Sequence, residues 1–308
     1  MFKITRLRPV LRPQVSPYSE YGLYKSLSES APVEWCQNLL VTVHDATGLP
    51  WWASIIGTTV MLRTCLTLPL AVYQNRVLAR LENATLEMGP LVDELKKETA
   101  IATKVYQWDE KTARYMFNRS VKKQWTKLIE RDNCHPLKST LLVWVQIPMW
   151  VSLSVGLRNL VYMLPYGDPR AQVTLLELTV GGFGFIPNLT VADQSWILPV
   201  TLGLLNLAIV ELQLLSRKNV PSKVQTALSY VFRGISVLMV PVAAAVPSCL
   251  VLFWTTSSAY GLAQNLLLMS PKVRRLCRIP KTSSEAQNPY DDALDRLKAK
   301  LKMSQLSK

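Results

Sequence analysis

The sequence predicts an all-α polytopic membrane protein with five transmembrane helices and a helical hairpin, outside the membrane, between the first and the second. Three observations carry this. Apolar residues gather in blocks of span length, about 20 residues each, and not in the short alternating runs of a soluble core. The polar interval between the first two blocks keeps apolar residues at helical spacing. Lys and Arg alternate between scarce and abundant from one interval to the next, as they do when successive spans reverse direction.

Residues 1–25 contain Lys3, Arg6, Arg8 and Arg12 and no acid before Glu20, the pattern of a mitochondrial presequence. A secretory signal needs an unbroken apolar stretch, which these arginines interrupt; the other reading is a plain basic tail. Over residues 32–47 Pro32 suits a first helical turn, Trp35, Leu39 and Val43 recur at i+4, and Gly48 is placed to stop the helix. This helix is too short and polar to span, so it is expected at the interface, leading to Trp51 and Trp52 as boundary anchors. The first span, 51–73, has Arg63 at its centre. Twelve residues at about 1.5 Å each put Arg63 roughly 18 Å into a hydrocarbon layer of about 30 Å. The hairpin, 74–136, is read from two stripes. Leu81, Thr85, Met88, Val92 and Leu95 form one, and Ala113, Phe117, Val121, Trp125 and Leu128 the other, with the turn at 107–109.

The second span, 138–163, contains Gln146 and Pro148, and a polar loop follows to Gln194. The third, 196–215, carries Asn206 and, near its far end, Glu211 and Gln213. The apolar block 228–269 is twice a span long, and Pro241 and Pro247 divide it into spans 228–245 and 248–269 with a turn near 246–248. A basic tail, 270–308, ends the chain with a short helix expected around 293–303. Counted between spans, Lys and Arg number one over 20–50, twelve in the hairpin, one after span two, three in the link 216–227 and ten in the tail. For a mitochondrial inner-membrane protein this places the amino end in the intermembrane space and the hairpin and tail in the matrix.

The formal charge of +14 does not make nucleic acid an expected partner, because the 35 Lys and Arg are sorted by interval and not along one helical face. The five cysteines, Cys36, Cys65, Cys134, Cys249 and Cys277, are scattered and suggest neither a disulfide framework nor a metal site. His44 and His135 both lie outside the spans, and no H-E-x-x-H, G-x-S-x-G or phosphate-binding glycine loop occurs. No covalent catalytic site and no cofactor is expected.

The candidate site residues are polar groups inside spans. Thr59, Arg63 and Thr67 recur at i+4, with Gln74 near the same azimuth. Ser139 and Gln146 share a face of span two. In span five Trp254, Ser258, Gly261 and Asn265 form a stripe, with Ser257 and Gln264 beside it. A single Ser or Thr is ordinarily interhelical glue, contributing about 0.6–2 kcal/mol. A mid-membrane arginine costs at least about 2.5–3.5 kcal/mol and calls for a partner or a wet cavity. Glu211 is the possible charge partner, although its place near the matrix end argues against close pairing; Arg233, at that end of span four, reads as a snorkelling side chain.

This arrangement resembles the YidC/Oxa/Alb membrane insertases: an arginine in the first of five spans, then a charged hairpin, a Q-x-P in span two and a Pro-Ser…Trp…Gln-Asn final span. The resemblance covers about residues 32–278. Stretches 44–55, 131–150 and 246–268 are similar to the mitochondrial branch dedicated to cytochrome c oxidase assembly. The resemblance implies that Arg63 is the charge of a hydrophilic groove open to matrix and lipid, lined by Gln146 and the Ser257/Asn265 side of span five. Client carboxylates would pair with Arg63, while apolar residues of spans three and five guide the client's own span. It further implies cytochrome c oxidase subunit 2 as client, other complex IV assembly factors and inner-membrane lipids as partners, and, because the tail is short, no stable docking on the mitochondrial ribosome. Two other classes remain open: an assembly scaffold that holds clients without moving them, and a small-solute transporter.

Overall fold

The computed structural model describes residues 22–164, 167–216 and 223–306. Most of the expected presequence lies outside this range. The described chain is helical: its only bridges are the isolated pairs Phe183/Ile186 and Ala192/Pro247. The helices are α1 (Gly22–Ser28), α2 (Ala31–Thr47), α3 (Trp51–Leu62), α4 (Leu68–Tyr106), α5 (Glu110–Asp132), α6 (Leu141–Tyr162) and α7 (Pro169–Val180). They continue with α8 (Ile197–Leu215), α9 (Lys223–Ala244), α10 (Ser248–Met269), α11 (Pro271–Leu276) and α12 (Pro289–Leu306).

Among the described residues four stretches are long and apolar enough to cross a membrane: Trp51–Tyr106, Pro136–Tyr162, Ile197–Leu215 and Gln225–Ala244. The fifth expected span is a 22-residue helix, α10. Its Thr255, Thr256, Ser257, Ser258, Gln264 and Asn265 hold its hydropathy below that of the other four. The first span also differs from expectation, for no helix end follows Tyr73. α3 passes through a five-residue π-helical segment, Arg63–Thr67, straight into α4.

The chain forms two compact units. The first comprises Met1–Arg63, Gln146–Glu211 and Pro221–Leu262. α2 ends at Gly48, whose φ of 62° is the left-handed geometry that closes a helix at low cost for glycine. A wholly buried layer of Leu40, Trp51, Ile55, Leu157, Leu178, Leu189, Leu202 and Val251 joins α2, α3, α6, α7, α8 and α10. The interval after α6, read from sequence as a loop, contains α7. Asp168 starts it, its carboxylate accepting from the Ala171 N–H at 2.7 Å with Pro169 in the first turn. Its polar residues hid the helix from a hydropathy reading, but Thr174 and Leu178 are buried and Glu177 accepts from the Trp51 indole N–H at 3.0 Å. Pro241 lies inside α9 and does not break it; the chain turns at 245–247 before α10.

The second unit comprises Thr64–Val145, Leu212–Val220 and Ala263–Lys308. α4 and α5 pack together through Val77, Ala84, Met88 and Leu128, with Arg131 bonded to Glu87 at 2.7 Å. The connection falls at 107–109, where Gln107 is left-handed and Asp109 starts α5. The tail folds onto α4: Arg76 donates to the Cys277 carbonyl at 2.9 Å, Asn83 to the Lys281 carbonyl at 3.1 Å, and Glu82 accepts from the Ser284 N–H at 3.1 Å. Its last helix, α12, is longer than the expected 293–303.

Candidate functional site

The first unit holds a cavity of about 470 Å³ with Arg63 on its wall. At Arg63 the backbone N–H is shared between the Thr59 and Val60 carbonyls, the point at which α3 gives way to the π segment. Such single-turn π segments recur at functional positions because the widened turn re-aims side chains. Arg63 is only 7% exposed, and its guanidinium donates to the Ser257 hydroxyl of α10.

The other polar groups come from α6, α8 and α10. Gln146 opens the α6 wall, and Asn206 on α8 accepts a hydrogen bond from Ser258 at 2.8 Å. Trp254 closes one side: its indole N–H donates to Ser154 at 3.0 Å and its ring stacks on Trp150 at 5.4 Å between centroids. A buried indole needs an acceptor, and Ser154 supplies it one turn beyond Trp150 on α6. Aliphatic and aromatic residues of α8 and α9, among them Leu202, Ile209, Phe232 and Ile235, complete the lining. Arg63 is thus the charged group among amides, hydroxyls, indoles and hydrocarbon, an arrangement able to receive a polar or acidic segment beside apolar helices.

Of the sequence candidates, Arg63, Gln146, Trp254, Ser257 and Ser258 line this one cavity. Thr59 is buried but off its wall, donating to the Ile55 carbonyl one turn back at 2.7 Å. Thr67, fully buried, and Asn265, half-buried, belong to the second unit. Glu211 is bound to Arg233, with contacts of 2.8 and 2.5 Å. Arg233, read from sequence as a snorkelling side chain without a special role, therefore holds an ion pair, and it also lies over the Tyr230 ring at 5.6 Å.

Sequence reasoning did not include Asn206, Trp150 or Ser154 in the site. Asn206 carries a signal, being a carboxamide in mid-span; Trp150 and Ser154 follow Gln146 at i+4 and i+8. Arg158, a further arginine in α6 outside that candidate set, reaches Tyr24 of α1. Among the described residues no three His, Cys, Asp or Glu side chains come together as a metal site would require.

Residues 42–275 match the family described as 60Kd inner membrane protein. The chain is 46% identical over 278 residues to the Mus musculus protein named "Cytochrome c oxidase assembly protein COX18, mitochondrial", covering 90% of this chain and 83% of that one. It is 44% identical to the Homo sapiens protein of the same name, with the same coverage. It is also similar to "Mitochondrial inner membrane protein OXA1L" of Mus musculus, at 28% identity over 86% of this chain and 54% of that protein.

Proposed function

The chain belongs to the 60Kd inner membrane protein family, the YidC/Oxa/Alb insertases, and on that premise we propose that it is a mitochondrial inner-membrane insertase acting in cytochrome c oxidase assembly. Its task is to move hydrophilic segments of client membrane proteins from matrix to intermembrane space, foremost the C-terminal domain of cytochrome c oxidase subunit 2. In this reading the chain crosses the membrane five times, α10 included, with the amino end in the intermembrane space and α4, α5 and the tail in the matrix.

The observation that carries the proposal is a buried arginine, with amides and hydroxyls beside it, on a largely apolar cavity among span-length helices. A polar segment crossing about 30 Å of hydrocarbon loses its hydration along the whole path. A wet cavity reaching partway shortens the dry portion. The Arg63 cation offers client carboxylates a counter-charge, and Gln146, Asn206 and Ser258 offer hydrogen bonds in place of water. Release of the client's own apolar helix into lipid supplies the driving force, aided by the membrane potential acting on its charges.

The test is protease accessibility of the client tail from the intermembrane space, with Arg63→Met in place of the native residue. Loss of accessibility, with the variant still in the membrane, supports the proposal. Normal export refutes it. A client that co-purifies with the native protein while its tail stays in the matrix identifies a holding scaffold instead.

A further inference from the structure

The first unit contains a second cavity, this one polar and also of about 470 Å³, that the export reading leaves unused. It lies where α2, the end of α6 and the start of α7 meet. Close approach of α2 and α6 builds it: a Cβ on Gly156 would stand 3.5 Å from the Gln37 N and the Val33 carbonyl, so this crossing brings two backbones together. Its walls carry the carboxamides of Gln37, Asn38 and Asn159 and the hydroxyls of Thr42 and Thr174.

The wall chemistry selects the ligand class. Asp168 and Arg170 balance in charge. Arg170 is already paired with Asp45 at 2.7 Å, which leaves no uncommitted cation for an anion, and Asp168, one oxygen of which accepts from the Ala171 N–H, lies exposed at the rim where water screens its charge. Gln37 is engaged at both ends, donating to the Leu164 carbonyl at 3.3 Å and accepting from Asn159, so the neutral donors and acceptors that remain are Asn38, Thr42 and Thr174, with the hydrogen-bonding capacity of peptide groups. Asn159 is wholly buried. Its amide nitrogen donates to the Ser28 carbonyl at 3.0 Å and to Gln37 at 3.3 Å, while its oxygen has no donor among the described residues. Buried acceptors are ordinarily satisfied, so this oxygen is an unmet acceptor at the cavity wall.

Gln146 and Asn159, on the walls of the two cavities, are thirteen residues apart on α6, about 20 Å of helix. Between them lie the Trp150–Trp254 stack and the buried Leu153 and Leu157. Along α6 the two cavities are separated by this apolar layer, and they meet different faces of the helix, thirteen residues being about 3.6 turns. We propose that this second cavity is an exit subsite that holds the backbone of the exported client segment once it has passed that layer. The inference rests on the export reading, which puts this end of α6 at the intermembrane space.

Asn38 and Thr42 are exposed on the rim, which suits them to photo-crosslinking without disturbing the core. Benzoylphenylalanine would be placed singly at Asn38, Thr42 and Gln146 of the full chain in intact mitochondria during synthesis of the client. The expected result is capture of the client's exported segment from all three positions, and loss of the Asn38 capture, with loss of most protease-exposed tail, when Thr42→Trp fills the cavity. Capture from Gln146 without capture from Asn38 or Thr42 would overturn the exit subsite and leave the Arg63 groove intact. Lipid-only adducts at Asn38 and Thr42, or full export with Thr42→Trp, would overturn it as well. Absence of client capture at all three positions would overturn the export reading itself, and the subsite with it.

Discussion

Arg63→Met and Ser257→Ala are expected to separate the arginine's contribution to function from its contribution to stability. A cation at mid-span costs about 2.5–3.5 kcal/mol on insertion scales, and a hydrogen bond to a charged group returns about 1.5–3 kcal/mol. In the native protein Arg63 donates to Ser257, so cost and return nearly cancel. Met removes both and fills a similar length. The freed Ser257 hydroxyl can bond to the carbonyl one turn back on α10, as Ser and Thr do in helices. The stability change for Arg63→Met is therefore within about 1 kcal/mol. Ser257→Ala keeps the buried charge and removes one hydrogen bond to it, a loss of up to about 1.5–3 kcal/mol, or roughly a 5 °C fall in unfolding midpoint for a domain of this size. The assay pairs thermal unfolding of the detergent-purified protein with protease accessibility of the client tail in mitochondria. Arg63→Met should unfold near the native temperature and fail to export, whereas Ser257→Ala should unfold earlier and retain export. An Arg63→Met protein that unfolds earlier than Ser257→Ala would show the arginine to be a packing element and refute the reasoning. Arg63→Lys, which keeps the cation but not the planar fork, should export in part.

Four further outcomes follow from particular contacts. Ser154→Ala leaves the Trp254 indole N–H, 3.0 Å from its native acceptor, buried without one, and should cost about 1–3 kcal/mol; adding Trp254→Phe should recover part of this in a thermal-unfolding cycle, and strict additivity would refute the pairing. Gly203→Ala would set a Cβ 2.4 Å from a Val240 methyl carbon, an overlap that should cost about 1–3 kcal/mol and be relieved by Val240→Ala; no change on Gly203→Ala would refute the α8–α9 packing. Stopping the chain after Met269 removes the tail's bonds to Arg76, Glu82 and Asn83, so the shortened protein should accumulate poorly, while native-level accumulation would show the tail to be dispensable for the fold. Burial pushes the Cys36 thiol up to about 11, so at pH 8 its thiolate should be roughly 100-fold scarcer than that of an ordinary cysteine. Maleimide labelling of native protein should be slow at Cys36 and rise as pH approaches that value; a free-cysteine rate at pH 8 would contradict its burial.

The insertase family was legible because bilayer physics constrains composition heavily. Length of apolar runs, alternation of Lys and Arg, and the anomaly of Arg63 survive in a linear string, since each is enforced by the solvent and not by a neighbour. The α2 stop at Gly48 and the turn at 107–109 were legible for a related reason, local backbone chemistry. The failures share an opposite cause. α7 is polar along much of its length and is held by Asp168, by Glu177 reaching Trp51, and by burial of Leu178, contacts that hydropathy does not record. Glu211 and Arg63 are both charges within expected spans, which makes them candidates for each other, yet it is Arg233 of α9 that approaches Glu211 to 2.5 Å.

The sequence by itself determined that this chain is helical and membrane-built, that Arg63 sits where a charge is expensive, and which residue types on each span are polar enough to meet it. Periodicity assigns residues to faces of single helices, but it carries no information on which faces meet. Only the tertiary structure decided that Gln146, Trp254, Ser257 and Ser258 share a cavity with Arg63 and with Asn206, while Thr59 lies off its wall. It also decided that the helix takes a π segment starting at Arg63, because widening a turn is a choice among backbone hydrogen bonds. At that turn the Arg63 side chain meets Ser257 of α10, a contact between residues 194 positions apart that no local pattern records.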